Sequence, residues 1–139
     1  MGEKLTAPQV LDSGVTRGLL YALRGRHRFL DTLPIGRSVL GREIFGLLLG
    51  SGGERVLYAA AFHGQEWLTA LAALRLCEDI CDALVKDGRL EGIDLRQALA
   101  LRSLVVIPMV NPDGVDIAVH GSAAAGEREE EVRVLGGDV

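Results

Sequence analysis

The chain has 139 residues, of which 48% are hydrophobic and 24% charged; that is one ordinary globular domain, and it excludes global disorder. Fifteen basic and nineteen acidic residues leave a net charge of −4, and only 4% of residues are aromatic, so neither a phosphate-binding face nor a base-stacking platform is expected and nucleic acid is excluded as the main partner. The longest apolar runs, residues 56–62 and 104–110, fall far short of the roughly 20 residues a membrane-crossing helix needs.

The amino terminus, Met1-Gly2-Glu3-Lys4-Leu5-Thr6, is polar and lacks the basic-then-apolar order of a secretory signal, so a cytoplasmic chain is the expectation. Residues 14–28 place Val15, Leu19, Leu20 and Leu23 at helical spacing among Arg17, Arg24 and Arg26, which predicts an amphipathic helix with Ser13 as its cap. Residues 35–40, a Gly41-Arg42 turn and residues 43–49 read as a β-hairpin. Gly50-Ser51-Gly52-Gly53 is glycine-rich like a phosphate cradle, but no Lys-Ser/Thr pair follows and the next segment is a strand, so it reads as a turn.

Residues 55–61 then form a short apolar strand expected to be buried on both faces. Residues 66–86 are the strongest helix. Positions 67, 70, 71, 74, 77, 78, 81, 84 and 85 face a core, Glu78 being the lone charge among them, with Arg75, Asp79, Asp82 and Lys86 opposite. A short helix over 94–101 and an apolar strand over 103–109 complete a strand-helix-strand crossover, whose two strands should be parallel. The fold class is therefore α/β. Beyond Asn111-Pro112-Asp113-Gly114 the pattern weakens. Residues 122–139, which include the acidic run Glu127-Arg128-Glu129-Glu130-Glu131, read as a solvated loop or flexible tail.

Chemistry concentrates at His63-Gly64-Gln65-Glu66, where an apolar strand ends and the long helix begins. Such junctions at the carboxyl edge of an α/β sheet carry ligand sites, because side chains there project from rigid supports. His63 and Glu66 are three apart across the turn, and imidazole and carboxylate are both ordinary zinc ligands. Gly64 allows a tight turn between them, and Trp67 can close the apolar side behind. Alone, the pair is weak evidence, since an exposed histidine beside a helix-capping glutamate is a common structural arrangement. A nucleotide-binding reading needs a glycine-rich strand-to-helix turn, and this turn has a single glycine. Cys77 and Cys81, one helical turn apart on the core face, read as buried thiols.

Three segments in this order resemble the zinc metallocarboxypeptidases, and within them the bacterial γ-D-glutamyl-diamino-acid peptidases that cut cell-wall peptides. They are the hairpin Ser38-Val39-Leu40-Gly41-Arg42-Glu43-Ile44, the strand-turn-helix Ala61-Phe62-His63-Gly64-Gln65-Glu66-Trp67, and the strand-loop Ile107-Pro108-Met109-Val110-Asn111-Pro112-Asp113-Gly114. The resemblance covers residues 14–121. It implies a partial mixed-sheet zinc-carboxypeptidase-like fold, a β-hairpin followed by a βαβ crossover with helices on the sheet. It also implies a zinc-dependent hydrolase cutting the amide bonds of short or cell-wall peptides.

By the same resemblance His63 and Glu66 are the first two zinc ligands, and residues 111–114 form a loop bordering the active-site side of the sheet, a loop whose composition also suits a plain proline-initiated turn. The family's second histidine ligand, glutamate general base and substrate-carboxylate groups have no matching motif in this chain, so the catalytic residues stay unassigned. His27 lies in the basic helix and reads as solvated; His120, 54 residues after Glu66, lies on no matching motif. Residues 1–139 are thus expected to be a single, incomplete domain that takes a peptide substrate when completed. The alternative is a non-catalytic scaffold or interaction module. An incomplete sheet would leave the strand over 103–109 with an unpaired hydrophobic edge, from which self-association is expected.

Overall fold

The computed structural model describes residues 3–136. Residues 1–2 and 137–139, the end of the expected tail among them, lie outside the described residues.

The first helix, α1 (Ser13–Arg26), buries Thr16, Leu20 and Leu23, as the helical spacing requires. Its cap is Asp12 rather than Ser13: the Asp12 carboxylate accepts the Val15 N–H at 2.7 Å. Ser13 instead donates its N–H and its hydroxyl to Asp116, at 2.7 and 2.6 Å. A carboxylate one residue upstream won the capping position, leaving the serine for a long-range contact. His27 closes α1 and is 5% exposed, with Nε2 3.2 Å from Asp82 Oδ1; the expected solvated side chain is buried because the chain turns at 27–30, with Leu30 N–H donating to the His27 carbonyl, and presses the ring against the next long helix.

Strand β1 (Asp31–Arg37) pairs antiparallel with β2 (Glu43–Ala59), from Asp31 opposite Leu48 to Arg37 opposite Glu43, which is the expected hairpin. Although β2 is continuous in pairing, it folds back on itself. Leu47, Leu48 and Leu49 register against Val106, Val105 and Leu104 in falling order of β5 (Arg102–Ile107), whereas residues 55–59 register against 103–107 in rising order. The reversal falls on residues 50–53, the glycine-rich turn of the sequence. Gly50 sits there at φ +87°, and a Cβ on it would lie 2.6 Å from the Leu99 carbonyl oxygen, so only glycine fits.

Two sequence expectations are overturned by this arrangement. The β5 strand is paired by both limbs of β2, so the edges of the sheet are β1 and the second limb, residues 54–59. That limb is also not buried on both faces: Leu57 is 59% and Tyr58 53% exposed. The apolar run suggested cover on both faces because hydrophobicity does not say which element packs on a face.

The crossover helix α2 (Trp67–Lys86) buries Ala70, Leu71, Leu74, Cys77, Glu78, Ile80, Cys81 and Ala83. The stripe is rotated slightly from the expected one at its carboxyl end, so that Ile80 and Ala83 are buried and Val85 is 66% exposed. After α2 comes a tight hairpin, β3 (Arg89–Leu90) and β4 (Ile93–Asp94), turned by Glu91 and Gly92 at φ +48° and +82°. The helix α3 (Leu95–Leu101) follows, with Asp94 accepting the Gln97 N–H, and leads into β5. The second limb, α2 and β5 form the expected crossover with parallel strands. Leu20 and Leu23 of α1, Leu47 and Leu49 of β2, Leu74 and Cys77 of α2, and Leu104 and Val106 of β5 share one core.

Two later segments depart from the sequence reading. Asn111-Pro112-Asp113-Gly114 opens a helix, α4 (Pro112–His120), with Asn111 as N-cap and Pro112 in the first turn. Residues 122–136 are largely helical too: a 3₁₀ segment (Ser122–Arg128), kinked at Gly126 (φ +60°), precedes α5 (Glu129–Gly136). Alternating Glu and Arg on its surface, such as Arg128 to Glu131 at 2.7 Å, suit a short solvated helix as well as a loop.

Candidate metal centre

His63 ends the stretch that follows the second limb of β2 and stands immediately before a single 3₁₀ turn (Gly64–Glu66); Glu66 in turn precedes the first residue of α2. The turn closes through the Glu66 N–H, which donates to the His63 carbonyl at 3.0 Å. Both side chains are exposed, and among the described residues neither has a hydrogen-bond partner. Trp67 packs against the core behind them.

The turn is fastened from two sides. Asn111 donates its N–H to the Ala61 carbonyl and Nδ2 to the Phe62 carbonyl, both at 3.0 Å, while its Oδ1 accepts the Gly114 N–H at 2.8 Å. Thr69 Oγ1 accepts the Ala61 N–H at 2.9 Å and donates to the Glu66 carbonyl at 2.7 Å. Gly64 rests directly on α4: a Cβ there would fall 2.1 Å from the Gly114 carbonyl oxygen. The glycine is thus required by close backbone approach, and its φ is not in the left-handed region.

The hairpin joins the same assembly through charge. Asp113 accepts from the Ser38 hydroxyl at 2.6 Å and the Leu40 N–H at 2.9 Å, and Arg42 Nη1 reaches it at 3.0 Å. Arg42 Nε also donates to Asp116 at 2.6 Å and Nη2 to the Ala124 carbonyl at 2.7 Å. Burial pushes the Asp113 carboxyl up, but the Ser38 hydroxyl, the Leu40 amide and Arg42 together hold it below the usual carboxylate range. The three segments that stood apart in the sequence are therefore one contiguous network, in which Asp113 and Arg42 fasten the hairpin to α4 while Asn111 fastens α4 to the His63 turn.

An imidazole and a carboxylate on exposed positions at the two ends of one turn suit zinc by donor type, and they supply two of the three protein ligands that a catalytic zinc uses. Among the described residues no group of three His, Cys, Asp or Glu could hold a metal ion. His120, in the last turn of α4, has Nε2 2.9 Å from Asp12 Oδ2, tying α4 to the cap of α1. Cys77 and Cys81 are buried free thiols; burial, and the neighbouring Cys81, push the Cys77 thiol up to about 12. A cavity of about 200 Å³ away from the pair is lined by Ser13, Gly14, Arg17, Arg42 and Glu43.

Comparison with known proteins completes the picture. Residues 19–133 match the zinc carboxypeptidase family. The chain is 35% identical over 102 residues to γ-D-glutamyl-L-diamino acid endopeptidase 1 of Lysinibacillus sphaericus, a match spanning 73% of this chain and 26% of that protein. It is 37% identical over 111 residues to the uncharacterized protein YqgT of Bacillus subtilis (strain 168), covering 77% of this chain and 29% of the other. In fold it is similar to carboxypeptidase A from Helicoverpa armigera, with TM-score 0.67 and 16% identity over 87% of this chain and 29% of that one.

The fold and its motif network define a metallocarboxypeptidase-like α/β domain. The chain belongs to the zinc carboxypeptidase family, and it spans between a quarter and a third of the length of the curated relatives described above.

Proposed function

We propose that this chain supplies the first two ligands of a zinc centre, His63 and Glu66, for hydrolysis of amide bonds in short peptides of the cell-wall type. The observation that carries this reading is the free imidazole and carboxylate on a turn fixed from both sides, within a chain of the zinc carboxypeptidase family. The likeness to an endopeptidase acting on γ-D-glutamyl-L-diamino acid bonds supports the substrate class. Zinc bound there would polarise a substrate carbonyl and lower the pKa of water. The chain's own part is to present Nδ1 or Nε2 of His63 and a carboxylate oxygen of Glu66 from one rigid support, with α4 and the hairpin holding that support in place. The third ligand and the general base are to be supplied by residues other than those described.

The deciding experiment is zinc titration of the purified chain by calorimetry, with His63→Ala and Glu66→Ala alongside. Weak zinc binding, lost in both variants, is expected of two ligands. Binding that survives both substitutions would overturn the assignment. Cleavage of a γ-D-glutamyl-diamino-acid dipeptide by the zinc-loaded chain, or by the chain combined with a complementing partner, tests the substrate class.

A second reading, a scaffold that associates through its sheet and is not itself catalytic, is favoured by the free edge at residues 54–59 with Leu57 and Tyr58 exposed on it. Unpaired strand edges recruit other chains. Self-association by light scattering, reduced by Leu57→Lys, is its expected signature; a concentration-independent monomer would oppose it.

A further inference from the structure

We propose that Thr69 and Asn111 are positioning residues for the His63–Glu66 pair, forming a two-sided latch that sets how the two side chains are presented to a metal ion. This inference rests on the reading of His63 and Glu66 as a metal pair. It starts from Ala61, which is buried and held at φ +50°, a conformation L residues adopt uncommonly unless their surroundings impose it. Both of its backbone polar groups are taken: its N–H by Thr69 Oγ1 at 2.9 Å, and its carbonyl by the Asn111 N–H at 3.0 Å. The next carbonyl, of Phe62, accepts from Asn111 Nδ2, and the carbonyl of Glu66 accepts from the Thr69 hydroxyl.

Two side chains from two helices thus fix the backbone on either side of the pair. Each residue makes the local bond its type predicts and a second, longer-range one besides. A threonine in the first turn of a helix commonly bonds back to a carbonyl three or four residues earlier, as Thr69 does with Glu66. Its second bond crosses the turn to a residue eight positions upstream. An asparagine N-cap needs only Oδ1, which Asn111 spends on Gly114, yet Nδ2 reaches out of α4 to Phe62. A ligand pair held on such a frame loses little freedom when the ion binds, and partners that orient ligands typically govern about 10- to 100-fold in metal affinity.

The test uses the full chain with labelled histidine side chains, following the His63 imidazole by NMR during zinc titration to millimolar concentration, together with hydrogen exchange of the Ala61 amide. Thr69→Val keeps the shape of the side chain and removes both bonds; Thr69→Ser restores the hydroxyl. Asn111→Asp keeps the acceptor for Gly114 and removes the donor to Phe62. Thr69→Val is expected to speed Ala61 exchange and to weaken zinc binding at His63 about tenfold, with Thr69→Ser close to wild type in both. Asn111→Asp is expected to weaken zinc binding while α4 stays folded by circular dichroism. If the wild type binds zinc through His63 and both Thr69→Val and Asn111→Asp bind it as tightly, the latch is refuted while the metal pair stands. If zinc leaves the wild-type His63 resonances unmoved, the metal-pair reading itself fails and the proposal with it.

Discussion

Gly64→Ala isolates the contact on which the site is built. The added Cβ would lie 2.1 Å from the Gly114 carbonyl oxygen, 2.5 Å from its carbonyl carbon and 3.1 Å from its Cα. Ordinary contact begins at 3.4 Å, so the 3₁₀ turn and the first turn of α4 would have to part by about 1.3 Å, and what stands in the way is backbone that cannot swing aside like a side chain. Gly114 is itself pinned by the Asn111 cap, and its neighbour Asp113 by Ser38, Leu40 and Arg42. Overpacking of this kind costs about 3 kcal/mol, which in a chain of this size lowers Tm by about 10 °C. Gly18→Ala is the matched control: it lies inside α1 with nothing within 4 Å of the new Cβ, and replacing a helix-interior glycine by alanine should stabilise by about 0.5–1 kcal/mol. Thermal and urea denaturation of the three proteins read both effects. A Gly64→Ala variant within about 0.5 kcal/mol of wild type would refute the close approach of the turn to α4.

Other consequences follow from the charged groups. The fully buried Glu78 accepts from the Leu5 and Thr6 amides, the Thr6 hydroxyl and Arg26. Burial pushes its carboxyl up, but Thr6, Leu5 and Lys4 together leave it below the ordinary value. The folded chain therefore binds fewer protons there than the unfolded chain, so this stability is fully present above the ordinary glutamate pKa of about 4.3 and is lost as pH falls through the lower folded value. Glu78→Gln should cost about 2–4 kcal/mol at pH 7 and flatten the acid limb of a stability-against-pH profile; parallel profiles for the two proteins would refute this. Arg42→Met strands Asp113 and Asp116 together and should cost about 3–5 kcal/mol by urea unfolding, with Arg42→Lys recovering only part because it lacks the planar fork. With both thiols pushed up to about 12, chiefly by burial, Cys77 and Cys81 should react with a disulfide reagent at pH 8 at least about a hundredfold more slowly in the native chain than in denaturant.

Local pattern carried the hairpin, the crossover and the buried stripe of α2 because each is written in spacing: alternating or 3.6-residue periods leave the same mark wherever the chain is read. It failed where the outcome depended on a distant partner. Ser13 looked like a cap until Asp12 took the role and Asp116 took the serine; His27 looked solvated until Asp82 and the turn at 27–30 enclosed it. The apolar second limb looked doubly covered, since burial is a property of what packs on a strand and not of the strand alone. The helix α4 was hidden for a different reason. Asn-Pro-Asp-Gly is at once a turn composition and a helix start, and only the apolar spacing of Val115 and Val119 behind it, with Asn111 as cap and Pro112 in the first turn, separates the two.

The same distinction explains what the motifs are. His63 and Glu66 were legible as a metal pair from residue type and position, but nothing in a one-dimensional string says that Ser38 and Arg42 reach Asp113, that Asn111 reaches Phe62, or that Gly64 lies on Gly114. Only two residues of the three segments offer free donor groups of the kind zinc takes; most of the others named here are used up in holding one segment to the next. The hairpin and the Asn-Pro-Asp-Gly segment therefore bear on chemistry indirectly, by fixing a turn that the chain enters through the strained Ala61. Variants at Asp113 or Arg42 should accordingly alter metal binding only as far as they loosen that turn, whereas variants at His63 or Glu66 should abolish it with the fold intact. The comparison of melting temperature with zinc affinity across these four positions separates framework from ligand.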